Sequence, residues 1–363
     1  MARDTRAQRA TNLATKMTKK YGHLTAVAGR TNEPVAYYST GSMALDYMLG
    51  TMGYPDNSMV EVYGAPSIGK TSAFAYSGVL RSVQEAGGLT AIIGVEPNQP
   101  EEWMETLGVD PNKNVIFRPN TGEDAWNIAF DLVKDNMVDY FVFDSIGAIT
   151  SAKEQKGDTP QAFGNAALNT WGIKRLVPYA WKNHVGGLFI NQLRDSKEMY
   201  VDHDSSGGHA IKHAFDIRIE AKRGAEKWTR KVRGTNGAIE ELVTGREVRA
   251  IIHKDKAGEE RGKRATFNFF NAPTEGKELG IDYAQDALTA GKVSGIITGT
   301  GWLVWDGFPD GKVNGKEKAR EQFLDPALRA KLRKEVSKAL FTKTDDDLVE
   351  EALEVDDSDV NDE

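Results

Sequence analysis

Val60-Glu-Val-Tyr63, running directly into Gly64-Ala-Pro-Ser-Ile-Gly69-Lys70-Thr71, is the stretch that decides the fold. A short run of strand character enters a loop of the form GxxxxGK[ST], and a helix-length segment begins at about Thr71. In that order, strand, loop and helix make a cradle for a phosphate chain. Glycines let backbone N–H groups curl around phosphate oxygens, a lysine reaches the β- and γ-phosphates, and a threonine hydroxyl ligates Mg²⁺. The helix N-terminus adds positive potential at the same place. Gly64, Ala65, Pro66, Ser67, Ile68, Gly69, Lys70, Thr71 and Ser72 are therefore the candidate nucleotide-binding residues.

Outward from that loop, the runs Leu89 to Val95, Tyr140 to Phe143 and Gly187 to Ile190 alternate with helix-length amphipathic segments between about 56 and 270. Short apolar strands separated by helices imply a mostly parallel sheet covered on both faces. Asp144 ends one such strand, where a carboxylate can hold the Mg²⁺ shell beside Thr71. Glu96 ends another, where it can orient or deprotonate an attacking water; a helix N-terminal acid beside Pro97 is the plainer alternative.

Composition limits the rest. The 363 residues include no cysteine, which removes disulfides and thiolate metal sites. No apolar run is long enough to span a bilayer, and the N-terminus, with Arg3, Arg6, Arg9, Lys16, Lys19 and Lys20, lacks the apolar stretch of a secretory signal. A cytoplasmic protein with no membrane partner is the expectation. Taking the eleven acidic residues of Asp345 to Glu363 out of a net charge of -7 leaves a body of about +4, mildly basic behind an acidic tail.

Ser39-Thr-Gly-Ser-Met-Ala-Leu-Asp-Tyr-Met-Leu-Gly50 ahead of the phosphate loop resembles the opening of the bacterial RecA core. Leu107-Gly-Val-Asp110, Asn120-Thr-Gly-Glu123, Val138-Asp-Tyr-Phe-Val-Phe-Asp-Ser145, Phe189-Ile-Asn-Gln-Leu-Arg194 and Gly207-Gly-His-Ala-Ile-Lys212 follow in family order. The resemblance implies a RecA-type P-loop NTPase core with an N-terminal helix and a small C-terminal α/β domain. It implies a DNA-dependent ATPase recombinase that uses ATP and Mg²⁺, assembles into helical filaments on single-stranded DNA, and pairs it with homologous duplex DNA. The expected division is a polymerisation helix and linker over 1–35, the ATPase core over 36–269, the small domain over 270–343 and a disordered tail over 344–363.

By the same resemblance Glu96 is the catalytic glutamate, Asp144 belongs to the Mg²⁺ shell, and Gln192 senses the γ-phosphate at the root of a DNA loop. Lys254 and Lys256 resemble a lysine pair that reaches a neighbouring subunit's ATP, although a bare Lys-x-Lys reads as a solvated strand face. Trp103 stands where the family stacks an aromatic on adenine; a core tryptophan on the helix from Pro100 is nearly as good a reading of the residues alone. Two polar segments, roughly 153 to 165 and 193 to 208, match the family's DNA loops. Their candidate contacts are Phe163, Gly164 and Asn165 in the first, and Arg194, Met199, Tyr200, Ser205, Ser206, Gly207, Gly208 and His209 in the second. Such loops bind any sequence through phosphate contacts and apolar wedges.

Other features stand apart from the pattern. His203, His209 and His213 lie near Asp202 and Asp204, but no step needs a second metal, and histidines at i, i+4 read as lining a helix. His213 replaces the family's phenylalanine at a subunit contact. Lys312, Lys316, Lys318 and Arg320 are read together as a surface for capturing duplex.

Overall fold

The computed structural model describes residues 6–21, 35–94, 101–152, 164–194, 204–205, 209–233, 238–258 and 262–342. A helix over Arg6–Tyr21 carries Arg6, Arg9, Lys16, Lys19 and Lys20, and its Leu13 is exposed. The main body is organised by β3 (Met59–Gly64), every residue of which is buried. Ahead of it, β1 (Tyr37–Tyr38) and β2 (Tyr54–Pro55) pair antiparallel.

After β3 come β4 (Thr90–Gly94), β5 (Asn114–Phe117), β6 (Tyr140–Asp144), β7 (Gly186–Arg194), β8 (Asp204–Ser205) and β9 (Ile217–Arg233). Six of these lie side by side and parallel, in the order β5-β4-β6-β7-β3-β9. The chain leaves β3 in one direction and returns to its other side at β9. Such a reversal marks the carboxyl ends of the central strands as the place where open α/β sheets bind ligands. Beyond β9 the sheet turns antiparallel through β10 (Ile239–Asp255), β11 (Arg264–Phe270) and β12 (Gly280–Ile281).

Alternation along the strands builds a core on each face. Val60, Val62, Ile92, Val142 and Leu188 pack with Phe74 and Leu80 of the helix after the phosphate loop. Met59, Ile93, Phe141, Phe143 and Phe189 pack with Trp126 and Phe215 beneath the helices Gly122–Lys134 and Gly164–Asn183. Burying each such side chain contributes about 1.5–3 kcal/mol, which is why both faces of the strands are apolar. Gly172 is required here, because a Cβ on it would lie 2.1 Å from the Trp126 ring.

The β9–β10 pair is the main surprise. Each strand has 17 residues, and their paired length runs well beyond the point where Ala221 meets Gly64. Inner residues Ile217, Ile219, Val248 and Ala250 are buried, and the outer half, from Lys222 on β9, is mostly exposed. A stretch so rich in exposed charge hides its strand period, and the hairpin is invisible in it.

The C-terminal part holds the helix Tyr283–Val293, the hairpin β13 (Trp302–Val304) with β14 (Lys312–Asn314), and the helices Lys316–Gln322 and Pro326–Thr342. It shares an apolar cluster with the core through Leu288, Phe323, Leu332 and Val336. Asp286 accepts hydrogen bonds from Ser42 Oγ and Met43 N–H, both at 2.5 Å, and Arg333 pairs with the buried Asp46 at 2.7 Å. One expectation needs correcting. Lys312, Lys316 and Lys318 are exposed, but Arg320 is buried and gripped by Asp282 at 3.0 and 3.1 Å, so it serves packing rather than a DNA surface.

Candidate nucleotide and DNA site

The phosphate loop leaves β3 at Gly64, where a Cβ would lie 2.2 Å from the Ala221 carbonyl oxygen. Ser67 and Gly69 have φ of 59° and 92°, left-handed values that curl the loop. Lys70 is buried, and its Nζ donates to the carbonyl oxygens of Gly64 at 3.0 Å and Ala65 at 2.9 Å. The ammonium thus lies folded against the loop it would share with a phosphate. The helix Thr71–Leu80 continues as Arg81–Glu85 after a break at Gly78.

Asp144, at the end of β6 and buried, accepts a hydrogen bond from Thr71 Oγ1 at 2.8 Å. The two residues that sequence reading assigned to Mg²⁺ are therefore adjacent. A hydroxyl and a carboxylate are hard oxygen donors, the type this ion takes. Trp103, half-buried on the helix Glu101–Thr106, packs against the core and donates its indole N–H to Ser72 Oγ at 3.0 Å. Gln192 lies in register with Gly64 across β7 and β3, so the end of β7 touches the start of the phosphate loop. Glu96 lies outside the described residues.

Lys254 and Lys256 are not brought to this site. Asp255 is in register with Ile217, and Ile217 with Val60, which puts both lysines at the amino ends of the parallel strands. Val60 and Gly64 are four residue steps apart along β3, about 13 Å at strand rise. Lys254 Nζ donates to the carbonyls of Lys212, His213 and Phe215 at 3.1, 3.0 and 2.6 Å, capping the helix His209–Ala214. Lys256 pairs with Asp216 at 3.0 Å.

Of the DNA-contact candidates, Phe163, Met199, Tyr200, Ser206, Gly207 and Gly208 lie outside the described residues. Gly164 opens the helix Gly164–Asn183. Asn165 is half-buried and donates to the Ile149 carbonyl at 3.1 Å; its Oδ1 is buried with no partner among the described residues. Arg194 and Ser205 pair across β7 and β8 with Asp204 and Leu193. His209 begins the helix His209–Ala214.

Sequence reading missed a polar cluster behind Gln192. Glu61, on the buried β3, receives Asn191 Nδ2 at 2.7 Å and Arg218 Nε at 2.6 Å, and Asn191 Oδ1 accepts the Gln192 N–H at 2.9 Å. Arg218 lies over the Tyr63 ring at 5.0 Å. Burial raises the Tyr63 phenol, and the Arg218 charge opposes that rise. Burial, and then Arg218, lower the Lys212 ammonium, with Glu61 opposing. A carboxylate inside the apolar run Met59 to Tyr63 was the available signal. Arg223, also missed, donates to the Pro66 carbonyl at 3.3 Å from the exposed hairpin.

Among the described residues no helix is long and apolar enough to cross a membrane. The family model described as the RecA N-terminal domain matches residues 9–258. Curated relatives include Protein RecA of Corynebacterium jeikeium (strain K411), 27% identical over 347 residues that cover 91% of this chain and 85% of the relative. Protein RecA of Corynebacterium efficiens is 29% identical, covering 89% and 81%. Protein RecA of Sulfurovum sp. (strain NBC37-1) is 29% identical, covering 94% and 95%. With the family model spanning well over half of its length and the phosphate loop, Asp144 and Gln192 gathered at the carboxyl ends of the central strands, this chain belongs to the RecA family of recombinases.

Proposed function

We propose that this chain hydrolyses ATP in response to single-stranded DNA, assembling on that strand as a helical filament that pairs it with homologous duplex. The observation that carries the reading is the joint placement of Thr71 against Asp144 and Gln192 against Gly64, with Gln192 at the head of the segment assigned to DNA. Lys70 swings from the Gly64 and Ala65 carbonyls to the β- and γ-phosphates, and the loop from Gly64 to Ser72 supplies the remaining contacts. Thr71 and Asp144 would hold Mg²⁺, which when bound neutralises charge on the phosphate oxygens. Glu96 orients the attacking water, and Trp103 presents its indole to adenine.

Lys254 and Lys256 act across the boundary between copies. At the far end of the strands they serve a neighbour's nucleotide, since they are remote from the chain's own phosphate loop. Phe163, Gly164 and Asn165 with Arg194, Met199, Tyr200, Ser205, Ser206, Gly207, Gly208 and His209 form the DNA-facing set, contacting backbone and wedging between bases rather than reading edges. Homology is tested by base pairing itself. Exposed Lys312, Lys316 and Lys318 would receive duplex, and residues 344–363 would compete with DNA for that basic surface.

Strand exchange between circular single-stranded and homologous linear duplex DNA tests the whole reading. Full-length exchanged product that depends on ATP is the expected result. Failure to assemble on single-stranded DNA with ATP, across salt and pH, would sink it.

A further inference from the structure

A buried carboxylate in the middle of a central strand needs a reason. Glu61 is fully buried, and in register with it on β9 stands Arg218. Buried ion pairs add little net stability over apolar packing of the same shape, but they hold geometry when every donor and acceptor is matched. Here the matching runs in one direction only. Arg218 Nε and Asn191 Nδ2 both donate to the Glu61 carboxylate, and Asn191 then has its oxygen left to accept the Gln192 N–H. Turning the Asn191 amide over would set its oxygen against Glu61 and its NH₂ against the Gln192 N–H. Glu61 therefore fixes which way Asn191 faces, and Asn191 fixes the main chain where β7 reaches Gly64.

We propose that Glu61 is a positioning residue, wiring Gln192 through Asn191 to β9 and to the helix His209–Ala214. The second connection follows from the chain itself, because the helix His209–Ala214 runs through Phe215 and Asp216 directly into β9, where Arg218 stands, and Lys254 of β10 holds the helix end by three carbonyls. The helix closes the segment that β7 opens. One carboxylate thus ties together both ends of the second DNA-facing segment and the register of β3 that sets the phosphate loop. The inference rests on the reading of Gln192 as the residue that reports nucleotide state to that segment.

Glu61→Gln is near-isosteric but places an NH₂ against one of two donors. Asn191→Asp alone sets two carboxylates together. The double variant E61Q/N191D reverses the donor and acceptor and restores every hydrogen bond. Its new amide donates to the new carboxylate and accepts from Arg218, and that carboxylate still accepts the Gln192 N–H. ATP hydrolysis is measured with and without oligo(dT), together with KM for ATP. Each single variant is expected to lose stimulation by DNA on the order of tenfold, with KM within about twofold of wild type. The double variant is expected to return to within about threefold of wild type, a recovery that loss of a merely structural residue would not give.

Stimulation at the wild-type ratio in E61Q, or a double variant no better than the worse single, overturns the wiring. Gln192→Ala separates the layers: a defective Q192A beside a normal E61Q removes the wiring alone, whereas a fully stimulated Q192A removes the reading beneath it and the inference with it. Should E61Q fail to fold, amide exchange at Gln192 reads the same hydrogen bond. Faster exchange in N191D that is reversed in the double variant supports the proposal, and unchanged exchange in both overturns it.

Discussion

Along β3 and at the carboxyl ends of β3 and β6 the charged side chains Glu61, Lys70 and Asp144 are all buried, and each is held by groups of its own chain. At the amino ends of the strands the pattern reverses. Lys256 is half exposed in a pair with Asp216, and Lys254 leans on three backbone carbonyls at a helix end. An exposed pair of this kind is worth about 0–1 kcal/mol, so a phosphate can displace it cheaply. The buried set can rearrange only where a ligand brings the matching charge, as a phosphate would for Lys70. On the proposed function, one end would serve a ligand of its own chain, and the other would offer its cations to a second copy.

Lys70→Ala should break the first end outright. Its ammonium is buried against the Gly64 and Ala65 carbonyls at the heart of the loop, so turnover of ATP should fall by roughly 100-fold or more. Phosphate release with saturating oligo(dT) measures it, and a loss under about threefold would mean the loop is not the working site.

Lys254→Ala tests the second end, and the two variants together test the relation between ends. If the lysine serves a neighbour, a 1:1 mixture of K70A and K254A recovers about a quarter of wild-type turnover, because random neighbours place an intact loop beside an intact Lys254 that often. No recovery in mixed filaments would return Lys254 to capping its own helix.

Asp286 sharpens the contrast between a buried charge with a cation and one without. Glu61 has Arg218 directly against it, whereas the groups that hydrogen-bond Asp286, the Ser42 hydroxyl and the backbone at Met43 and Ala44, are neutral, and Arg333 is engaged by Asp46. Burial raises its pKa from 3.8 to about 7, against the lowering effect of those hydrogen bonds. The folded state then holds a proton more tightly than the unfolded one. Its contribution is complete below about pH 4 and is lost as the pH rises toward 7, on the order of a few kcal/mol. Wild-type Tm should drop between pH 5 and pH 8, and D286N should remove most of that drop. Parallel declines would place the titration elsewhere.

How much of this could be read in the sequence depended on how local the signal was. The phosphate loop is contiguous, so residues 60–72 carried strand, turn and helix together, and Asp144 followed from an apolar strand ending in an acid. That the sheet is mostly parallel and covered by helices was legible as alternation of strand and helix, but the order of its strands was not. The β9–β10 hairpin was not, because strands exposed on both faces lose the alternation that marks a strand. The burial of Arg320 was equally hidden: its partner Asp282 lies 38 residues away, and only tertiary structure joins them. Glu61 was visible as an oddity, but its partners sit on two other strands.

Trp103 carries two readings, and its geometry makes them separable. The indole bonds Ser72 beside the phosphate loop while its ring packs on the core, so both roles draw on the same side chain. Stacking on a base needs only an aromatic face and is worth about 1–3 kcal/mol by alanine substitution. Core packing needs volume. W103F keeps the face and loses the bond to Ser72, so its KM for ATP should stay within about threefold of wild type, whereas W103A should raise KM about tenfold or more. If the ring serves packing alone, W103A instead lowers Tm by several degrees, roughly what a core truncation costs, and leaves KM where it was.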